Sequence, residues 1–317
     1  MRKWLLGLIA AGAMFLPTMA PAQLAYASNE KDGTLSVIDT ARDEVVGSIK
    51  AGRTPRGMAA SVDGKVLYVS DQKSNALRVV DLASRAAVGS IDLGESPEGV
   101  GRSPDGRWVA AAIEEDHQVF FIDTATGKIA FKVKVEGENP EHAVFSPDSK
   151  WVFVSAEESQ VVDVIDVQNR RLAGSIRVGK RPRGIGFTPD GTRAYVACEI
   201  ANTVYAIDVP SRKVLAAIPA GGRSNGIKVH PTGREVYVSN GADGTVMVID
   251  TGTNTVKQTI KVGNRPWNMA LTADGGKLYV ANGRSNTVSV IDTVAKKEVK
   301  QIKVGEQPWG VLMPIGH

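Results

Sequence analysis

The sequence predicts an all-β fold built from seven copies of one unit, and the clearest copy is residues 277–292. This stretch, KLYVANGRSNTVSVID, has two short runs rich in Val, Tyr, Ile and Thr around a polar turn, the pattern of a β-hairpin. Its closing aspartate recurs at successive spacings of 42, 42, 43, 42, 42 and 42 residues. These aspartates are Asp39, Asp81, Asp123, Asp166, Asp208, Asp250 and Asp292. A period of about 40 residues that carries several short strands is typical of a propeller blade, so we expect a seven-bladed β-propeller with four antiparallel strands per blade.

The connections between blades are marked by glycine and proline. A glycine follows each aspartate by 13 residues, or by 14 in the third repeat, and a proline follows the glycine by three except at Ser224. Both residues suit a sharp turn outside the hydrogen-bonded ladder. The extra residue of the 43-residue spacing lies between Thr124 and Val135, where we expect a bulge in the outer hairpin. We interpret the seven aspartates as turn caps that accept hydrogen bonds from backbone N–H groups.

The two ends of the chain are expected to share one blade. The first repeat begins at its second strand, residues 24–28, whereas the chain ends with an innermost strand, residues 310–314, that has no blade of its own. Pairing of the C-terminal strand with the N-terminal blade would close the ring and remove its exposed edges. We therefore expect one domain over residues 23–317, and a monomer.

The first 22 residues have the order of a secretory signal peptide. Arg2 and Lys3 precede a 13-residue apolar run, residues 4–16, and the segment ends with Ala20-Pro21-Ala22. The run is shorter than the roughly 20 residues that span a bilayer, so a retained membrane anchor is the less favoured alternative. The prediction is cleavage after Ala22, no membrane span and a periplasmic location.

Composition gives little support to a nucleic-acid partner. The formal charge is +4, but it falls to +2 once Arg2 and Lys3 of the predicted signal peptide are left out. A charge this small does not indicate a polyanion-binding protein. Cys198 is the single cysteine, so no internal disulfide can form.

Four short motifs carry a resemblance to a known family. They are Leu67-Tyr68-Val69-Ser70, Ala194-Tyr195-Val196-Ala197, Val236-Tyr237-Val238-Ser239-Asn240 and Leu278-Tyr279-Val280-Ala281-Asn282. They resemble the repeats of the YVTN-family seven-bladed propellers, and within that family the chain is most similar to the propellers associated with PQQ-dependent catabolism. The resemblance implies an exported accessory protein of that pathway. The chain does not resemble the PQQ-dependent dehydrogenases themselves, which are eight-bladed and much larger.

The residue that follows the loop proline, or Ser224, lies where each innermost strand begins, at the mouth of the central channel. Around the ring this position holds Arg56, Glu98, Glu141, Arg183, Asn225, Trp267 and Trp309, which we term the inner ring. One interpretation is a ligand site in which the tryptophans stack on a planar anion and Arg56, beside Trp309, donates a charge-assisted hydrogen bond. The alternative is that the charged members form ion pairs between blades while the tryptophans plug the channel.

Acidic residues cluster in three consecutive hairpin loops that are predicted to lie on the same face. They are Glu114, Glu115, Asp116, Glu157, Glu158 and Glu199. Basic residues are more frequent around the rest of that face, and a face divided by charge favours oriented docking of another exported protein. A solvated loop rim is the alternative.

Three classes of function remain open from the sequence. A non-catalytic accessory protein that binds a small planar anion, such as PQQ or a product of its pathway, requires the fewest special residues. A propeller hydrolase or lactonase would have to draw its acid and base from Glu98, Glu141, His142 and His117. A single-stranded nucleic-acid binder would use the tryptophans, but the acidic loops disfavour it. With four histidines and no metal-binding spacing, we assign no metal, no cofactor and no catalytic residue.

Overall fold

The computed structural model describes residues 23–314, so the predicted signal peptide, residues 1–22, lies outside the described range. Within that range the chain forms 28 β-strands, one three-residue 3-10 turn at Gln72–Ser74 and no α-helix. In chain order the strands are β1 (Leu24–Asn29), β2 (Thr34–Asp39), β3 (Glu44–Lys50), β4 (Pro55–Ala60), β5 (Val66–Asp71), β6 (Ala76–Asp81), β7 (Ala86–Asp92), β8 (Pro97–Arg102), β9 (Trp108–Ile113), β10 (Gln118–Asp123), β11 (Lys128–Lys134), β12 (Pro140–Phe145), β13 (Trp151–Ala156), β14 (Val161–Asp166), β15 (Arg171–Arg177), β16 (Pro182–Phe187), β17 (Arg193–Cys198), β18 (Thr203–Asp208), β19 (Lys213–Pro219), β20 (Ser224–Val229), β21 (Glu235–Asn240), β22 (Thr245–Asp250), β23 (Thr255–Lys261), β24 (Pro266–Leu271), β25 (Lys277–Asn282), β26 (Thr287–Asp292), β27 (Lys297–Lys303) and β28 (Pro308–Leu312).

These strands form seven four-stranded antiparallel sheets, which confirms the predicted seven-bladed β-propeller. Blade 1 has the strand order β28-β1-β2-β3, and blades 2 to 7 each use four consecutive strands from β4 to β27. The predicted closure is therefore confirmed, because the C-terminal strand pairs with the N-terminal one, Tyr26 lying opposite Leu312. The closing strand begins two residues earlier than residues 310–314, because the loop proline is itself the first residue of each innermost strand except β20, a position that proline tolerates.

The inserted residue of the third repeat lies in a loop, so the predicted bulge in the outer hairpin is wrong. The register shift between Phe121 and Ile122 occurs at the equivalent position in every blade and absorbs no insertion. Strand β11 ends as the other outer strands do, and the N–H of Val135 still makes the hydrogen bond that follows such a strand. The extra residue is Glu136, exposed in the connection to blade 4, where it disturbs no ladder.

The turn-capping role of the seven repeated aspartates is confirmed. Each accepts hydrogen bonds from backbone N–H groups two or three residues later, at 2.7–3.1 Å. At Asp292 the N–H groups of Ala295 and Val294 hold the pKa of the carboxyl below its ordinary value. The repeated aspartate thus fixes the turn between the third and fourth strands of each blade.

The hydrophobic core is divided among the interfaces between neighbouring blades. Across the closure, Tyr279 and Val290 of blade 7 pack with Ala25, Ile38 and Val311 of blade 1. Within residues 23–314, no helix is long and apolar enough to cross a membrane.

Candidate ligand-binding site at the channel mouth

Seven backbone hydrogen bonds assemble the mouth of the channel. In each blade the first residue after the second strand donates its N–H to the carbonyl oxygen of the residue before the loop proline or serine, at 2.8–3.2 Å. The donors, which we term the hairpin-loop ring, are Glu30, Gln72, Glu114, Glu157, Glu199, Gly241 and Gly283. The blade-connecting loops and the hairpin loops therefore share one face, as the sequence predicted.

The inner ring comes together at this face. A cavity of about 170 Å³ is lined by Arg56, Glu141, Arg183, Asn225, Trp267 and Trp309, together with Glu30, Arg265, Asn268 and Gln307. Arg56 and Trp309 line the same cavity, as expected from their places in adjacent blades. Glu98 does not line it, because its side chain is buried, with 1 % exposed.

The charged members of the inner ring are ion-paired. Arg56 pairs with Glu98 and, at 3.0 Å, with Glu30. Arg183 is the centre of a larger network, and its guanidinium lies 2.6 Å from Glu141, 3.1 Å from Glu157 and 3.0 Å from Glu199. Burial alone would lower the pKa of Arg183, but the three carboxylates raise it above its ordinary value.

The six acidic residues considered for partner docking do not form a separate acidic sector. Glu157 and Glu199 are buried and paired with Arg181, Arg183, Arg223 and Arg265. Glu114 and Asp116 are half-buried, and only Glu115 and Glu158 are exposed. Charges of opposite sign interleave because buried carboxylates need partners. Arginines therefore neutralise two of the six residues, and partner docking at this face stays a prediction.

Two carboxyl groups of the mouth have raised pKa values. Burial and the nearby Glu141 raise the pKa of Glu98 well above its ordinary value, against the opposing effect of Arg56. Burial raises the pKa of Glu157 to about 7, although Arg183 opposes the shift. Burial would raise the pKa of Glu141 too, but Arg183, His142 and Arg56 together lower it. Glu157 is thus the carboxyl group here whose pKa lies near neutral pH.

Glu114, Glu141 and Glu157 each place a carboxylate oxygen within 4.8 Å of the other two, close enough for a single cation. Arg183 bridges Glu141 and Glu157, however, and Arg181 pairs with Glu157 as well. These guanidinium groups already neutralise the cluster, so the geometry gives no reason to assign a metal.

His142 and Asn268 occupy a position that is glycine in the other five innermost strands. A Cβ atom on Gly57, for example, would lie 2.6 Å from the carbonyl oxygen of Glu98 in the next blade. His142 instead stacks on Trp309, with ring centroids 5.6 Å apart, and both residues line a second cavity of about 130 Å³ behind the mouth. Its ring nitrogens are shielded from solvent and make no hydrogen bond of good geometry, and burial lowers the pKa of the imidazole.

Sequence reasoning missed the hairpin-loop ring as a set. Glu30 and Gln72 bind Arg56 and Glu98, respectively, but were not considered. The signal was available, because the seven residues recur with the same 42-residue period as the aspartates.

Of the two histidines weighed for chemistry, His117 accepts a hydrogen bond from the backbone N–H of Asn139 at 3.1 Å and lines neither mouth cavity.

The comparisons with known proteins agree with the propeller fold. Residues 168–306 match the family model described as "Lactonase, 7-bladed beta-propeller", and residues 7–105 match the one described as "YNCE-like beta-propeller". No curated protein matches the chain significantly.

Solved structures show the same architecture over almost the whole chain. Kuenenia stuttgartiensis hydrazine synthase aligns with a TM-score of 0.78 and 22% identity, covering 90% of this chain and 99% of that one. A protein of unknown function from Desulfotomaculum acetoxidans aligns at 0.82 and 18%, covering 93% and 100%. The dihydro-heme d1 dehydrogenase NirN in complex with DHE aligns at 0.69 and 16%, covering 95% and 78%. At these identities the similarity establishes the fold alone, and the association with PQQ-dependent catabolism remains a hypothesis.

Proposed function

We propose that the protein is an exported, non-catalytic binding propeller that holds a small anionic molecule in the mouth cavity. The observation that carries this proposal is the convergence of Arg56, Arg183 and Arg265 with Trp267 and Trp309 around one polar space of about 170 Å³. Nothing in the blade scaffold requires arginine and tryptophan at positions that symmetry makes equivalent. A planar anion uses both residue types, stacking on the indoles and accepting hydrogen bonds from the guanidinium groups.

The expected affinity is modest. An aromatic stack contributes about 0.5–1.5 kcal/mol beyond area burial, and a charge-assisted hydrogen bond contributes roughly 1.5–3 kcal/mol. Arg56 and Arg183 already have carboxylate partners, so a ligand has to share their donors. The loss of translational and rotational freedom on association opposes binding as well. We therefore expect micromolar affinity at best.

The size of the cavity bears on the identity of the ligand. Pockets that enclose a drug-sized molecule have volumes of roughly 300–1,000 Å³. At about 170 Å³ the mouth suits an acid with a single ring better than the tricyclic PQQ, which would extend out of the cavity. The resemblance to propellers associated with PQQ-dependent catabolism still makes PQQ, or a product of its pathway, the first compound to compare.

Isothermal calorimetry tests the proposal. The protein is titrated with PQQ and with pyridine-2,6-dicarboxylate, an anion with one ring, beside a Trp267→Ala/Trp309→Ala double variant. Trp151→Phe is the matched control, because Trp151 lies away from the mouth and stacks under Arg212. We expect the control to bind as the parent does and the double variant to lose binding of at least one of the two acids. If the parent binds neither acid, or the double variant binds both unchanged, the small-ligand proposal fails and docking of an exported protein becomes the better explanation.

Export rests on the predicted signal peptide and is part of the proposal. N-terminal sequencing of protein recovered from a periplasmic extract should begin at or near Gln23. An intact Met1 in the membrane fraction would contradict it.

Lactone hydrolysis is a second candidate function, favoured by the match of residues 168–306 to a lactonase family model. Glu98 and Glu157, which pair with Arg56 and Arg183 of the mouth, have raised pKa values, and the pKa of Glu157, about 7, suits general acid–base catalysis. A pH-stat screen with γ- and δ-lactones tests this function, with Glu157→Gln as the variant and the exposed Glu158→Gln as its control. Turnover that Glu157→Gln abolishes and Glu158→Gln retains would support it.

A single-stranded nucleic-acid binder gains no support, because the mouth arginines Arg56, Arg183 and Arg265 are already paired with carboxylates.

A further inference from the structure

The hairpin-loop ring breaks its pattern in two adjacent blades. Five of its members carry glutamate or glutamine, whereas blades 6 and 7 carry Gly241 and Gly283. In blades 1, 4 and 5 these side chains pair with arginines. In blades 2 and 3 they bind other polar side chains, because Gln72 donates to Glu98 and Glu114 accepts from Ser96 and Asn139. A cleft of about 550 Å³ lies at Gly241, between blades 6 and 7.

Close packing around the two glycines explains why neither position carries a side chain. A Cβ atom on Gly283 would lie 2.4 Å from the ring of Trp267, and one on Gly241 would lie 3.2 Å from the side chain of Arg265. The indole and the guanidinium stem therefore lie directly against the glycine backbone. Arg265 lines the cleft, whereas Trp267 lines the mouth cavity, and a side chain at either glycine would displace its neighbour.

The cleft is positively charged. Its lining includes Arg223, Arg265 and Arg284 and one acidic residue, Asp243. Asp243 accepts a hydrogen bond from the backbone N–H of Gly222 at 2.7 Å, which satisfies part of its charge. Arg223 and Arg265 share Glu199 as their partner, at 3.1 and 2.7 Å.

Arg284 differs from the other two arginines. It is exposed, and its side chain makes no ion pair and no hydrogen bond with any residue of the range 23–314. A guanidinium held at the edge of a basic cleft without a partner keeps its donors for a ligand.

We propose that this cleft is an oxyanion-binding site in which Arg284, Arg223 and Arg265 bind a carboxylate or phosphate group of a small molecule. Guanidinium groups pair with both anions through parallel N–H donors, which is the chemistry that recognises the group. The site is distinct from the mouth cavity, although Arg265 lines both.

Calorimetric titration with inorganic phosphate and with citrate tests the site and distinguishes the two sources of oxyanion. The decisive variant is Arg284→Ala, whose side chain has no structural partner to lose. Its matched control is Lys73→Ala, because exposed Lys73 occupies the equivalent position in blade 2, where the hairpin-loop ring carries Gln72. A second variant, Gly241→Glu, introduces the glutamate found in four other blades and places a competing carboxylate beside the arginines of the cleft.

We expect the parent to bind at least one of the two anions. Arg284→Ala should bind that anion about tenfold more weakly, because the variant loses one charge-assisted hydrogen bond. Lys73→Ala should bind as the parent does, and Gly241→Glu should not bind measurably. The proposal is overturned if the parent binds neither anion, if Arg284→Ala binds unchanged, or if Lys73→Ala weakens binding equally. The Trp267→Ala/Trp309→Ala variant separates the two sites, because loss of phosphate or citrate binding there would place the anion in the mouth cavity and leave the cleft without a ligand.

Discussion

Glu30 and Gln307, which lie 277 positions apart in the sequence, are joined twice across the closure of the ring. The backbone N–H of Glu30 donates to the carbonyl oxygen of Gln307 at 3.0 Å, and the side-chain amide of Gln307 donates to the Glu30 carboxylate at 3.1 Å. Glu30 also binds Arg56 of blade 2. The segment that closes the propeller therefore also builds the mouth.

Val311→Asp in the closing strand should destabilise the whole fold. Val311 is buried between blades 7 and 1 with Ala25 and Met313, so an aspartate there would be a buried charge without a partner. We expect a loss of about 3 kcal/mol or more in the free energy of unfolding, measured in urea. Val299→Asp on the outer strand β27 is the control, because Val299 is 48% exposed and should tolerate the change. Equal stabilities of the two variants would contradict the closing role of β28.

Glu199→Gln should be destabilising, because it removes the common partner of Arg183, Arg223 and Arg265. Breaking a buried ion pair on one side costs about 3–5 kcal/mol. Burial would raise the pKa of Glu199, but Arg183 and Arg265 outweigh burial and lower it. A lowered pKa means that the carboxylate stabilises the native state above its unfolded pKa, about 4.3, and that this contribution is lost as the pH falls further.

The measurement for Glu199→Gln is urea denaturation at pH 7 and at successively lower pH. The difference in unfolding free energy between parent and variant should be largest at pH 7 and should shrink below about pH 4. Glu158→Gln, which changes an exposed carboxylate, should follow the parent throughout. A difference that does not depend on pH would show that the effect of Glu199→Gln is steric.

Gly283→Ala should displace Trp267. The added Cβ would lie 2.4 Å from one ring carbon and 2.6 Å from the next, so the indole has to move. We expect a cost of about 1–3 kcal/mol for the overpacking, a changed near-ultraviolet circular dichroism spectrum and weaker ligand binding at the mouth. Gly241→Ala is the control for Trp267, because its Cβ meets Arg265 and the Arg223 carbonyl at 3.2 Å instead of the indole. An unaltered aromatic spectrum in Gly283→Ala would mean that the ring is not packed on this glycine.

His142→Phe should stabilise the protein at acidic pH. Phenylalanine keeps the stack on Trp309 and removes two ring nitrogens that lack good partners. Burial is the main cause of the lowered pKa of His142, with Arg183 acting in the same direction and Glu141 opposing it. Below its unfolded pKa of about 6.5 the imidazole takes up a proton more readily in the unfolded chain, so the parent loses stability as the pH falls. Melting temperatures from pH 8 to pH 5 should diverge in favour of His142→Phe, and parallel curves would contradict the burial of a neutral imidazole.

Much of the fold follows from the 42-residue period alone. Each repeat is a local four-stranded unit, so one hairpin at residues 277–292 and the positions of the seven aspartates predict the blade, the number of blades and the closure. The period also places Arg56 and Trp309 in adjacent blades at equal height, and they do line one cavity. The insertion at Glu136 was misplaced because a single extra residue leaves the same spacing whether it lies in a strand or in the following loop.

Rotational symmetry thus allowed the sequence to determine which residues lie at the mouth. Only the tertiary structure decided which of these side chains contact one another. Arg183 reaches Glu141 in one neighbouring blade and Glu199 in its own, and Arg265 reaches back to the same Glu199. Such pairings depend on how far long side chains reach and on burial, which makes an unpaired charge costly. The sequence period contains no information about either factor. The open cleft at Gly241 is likewise a tertiary feature, because its lining comes from two neighbouring blades.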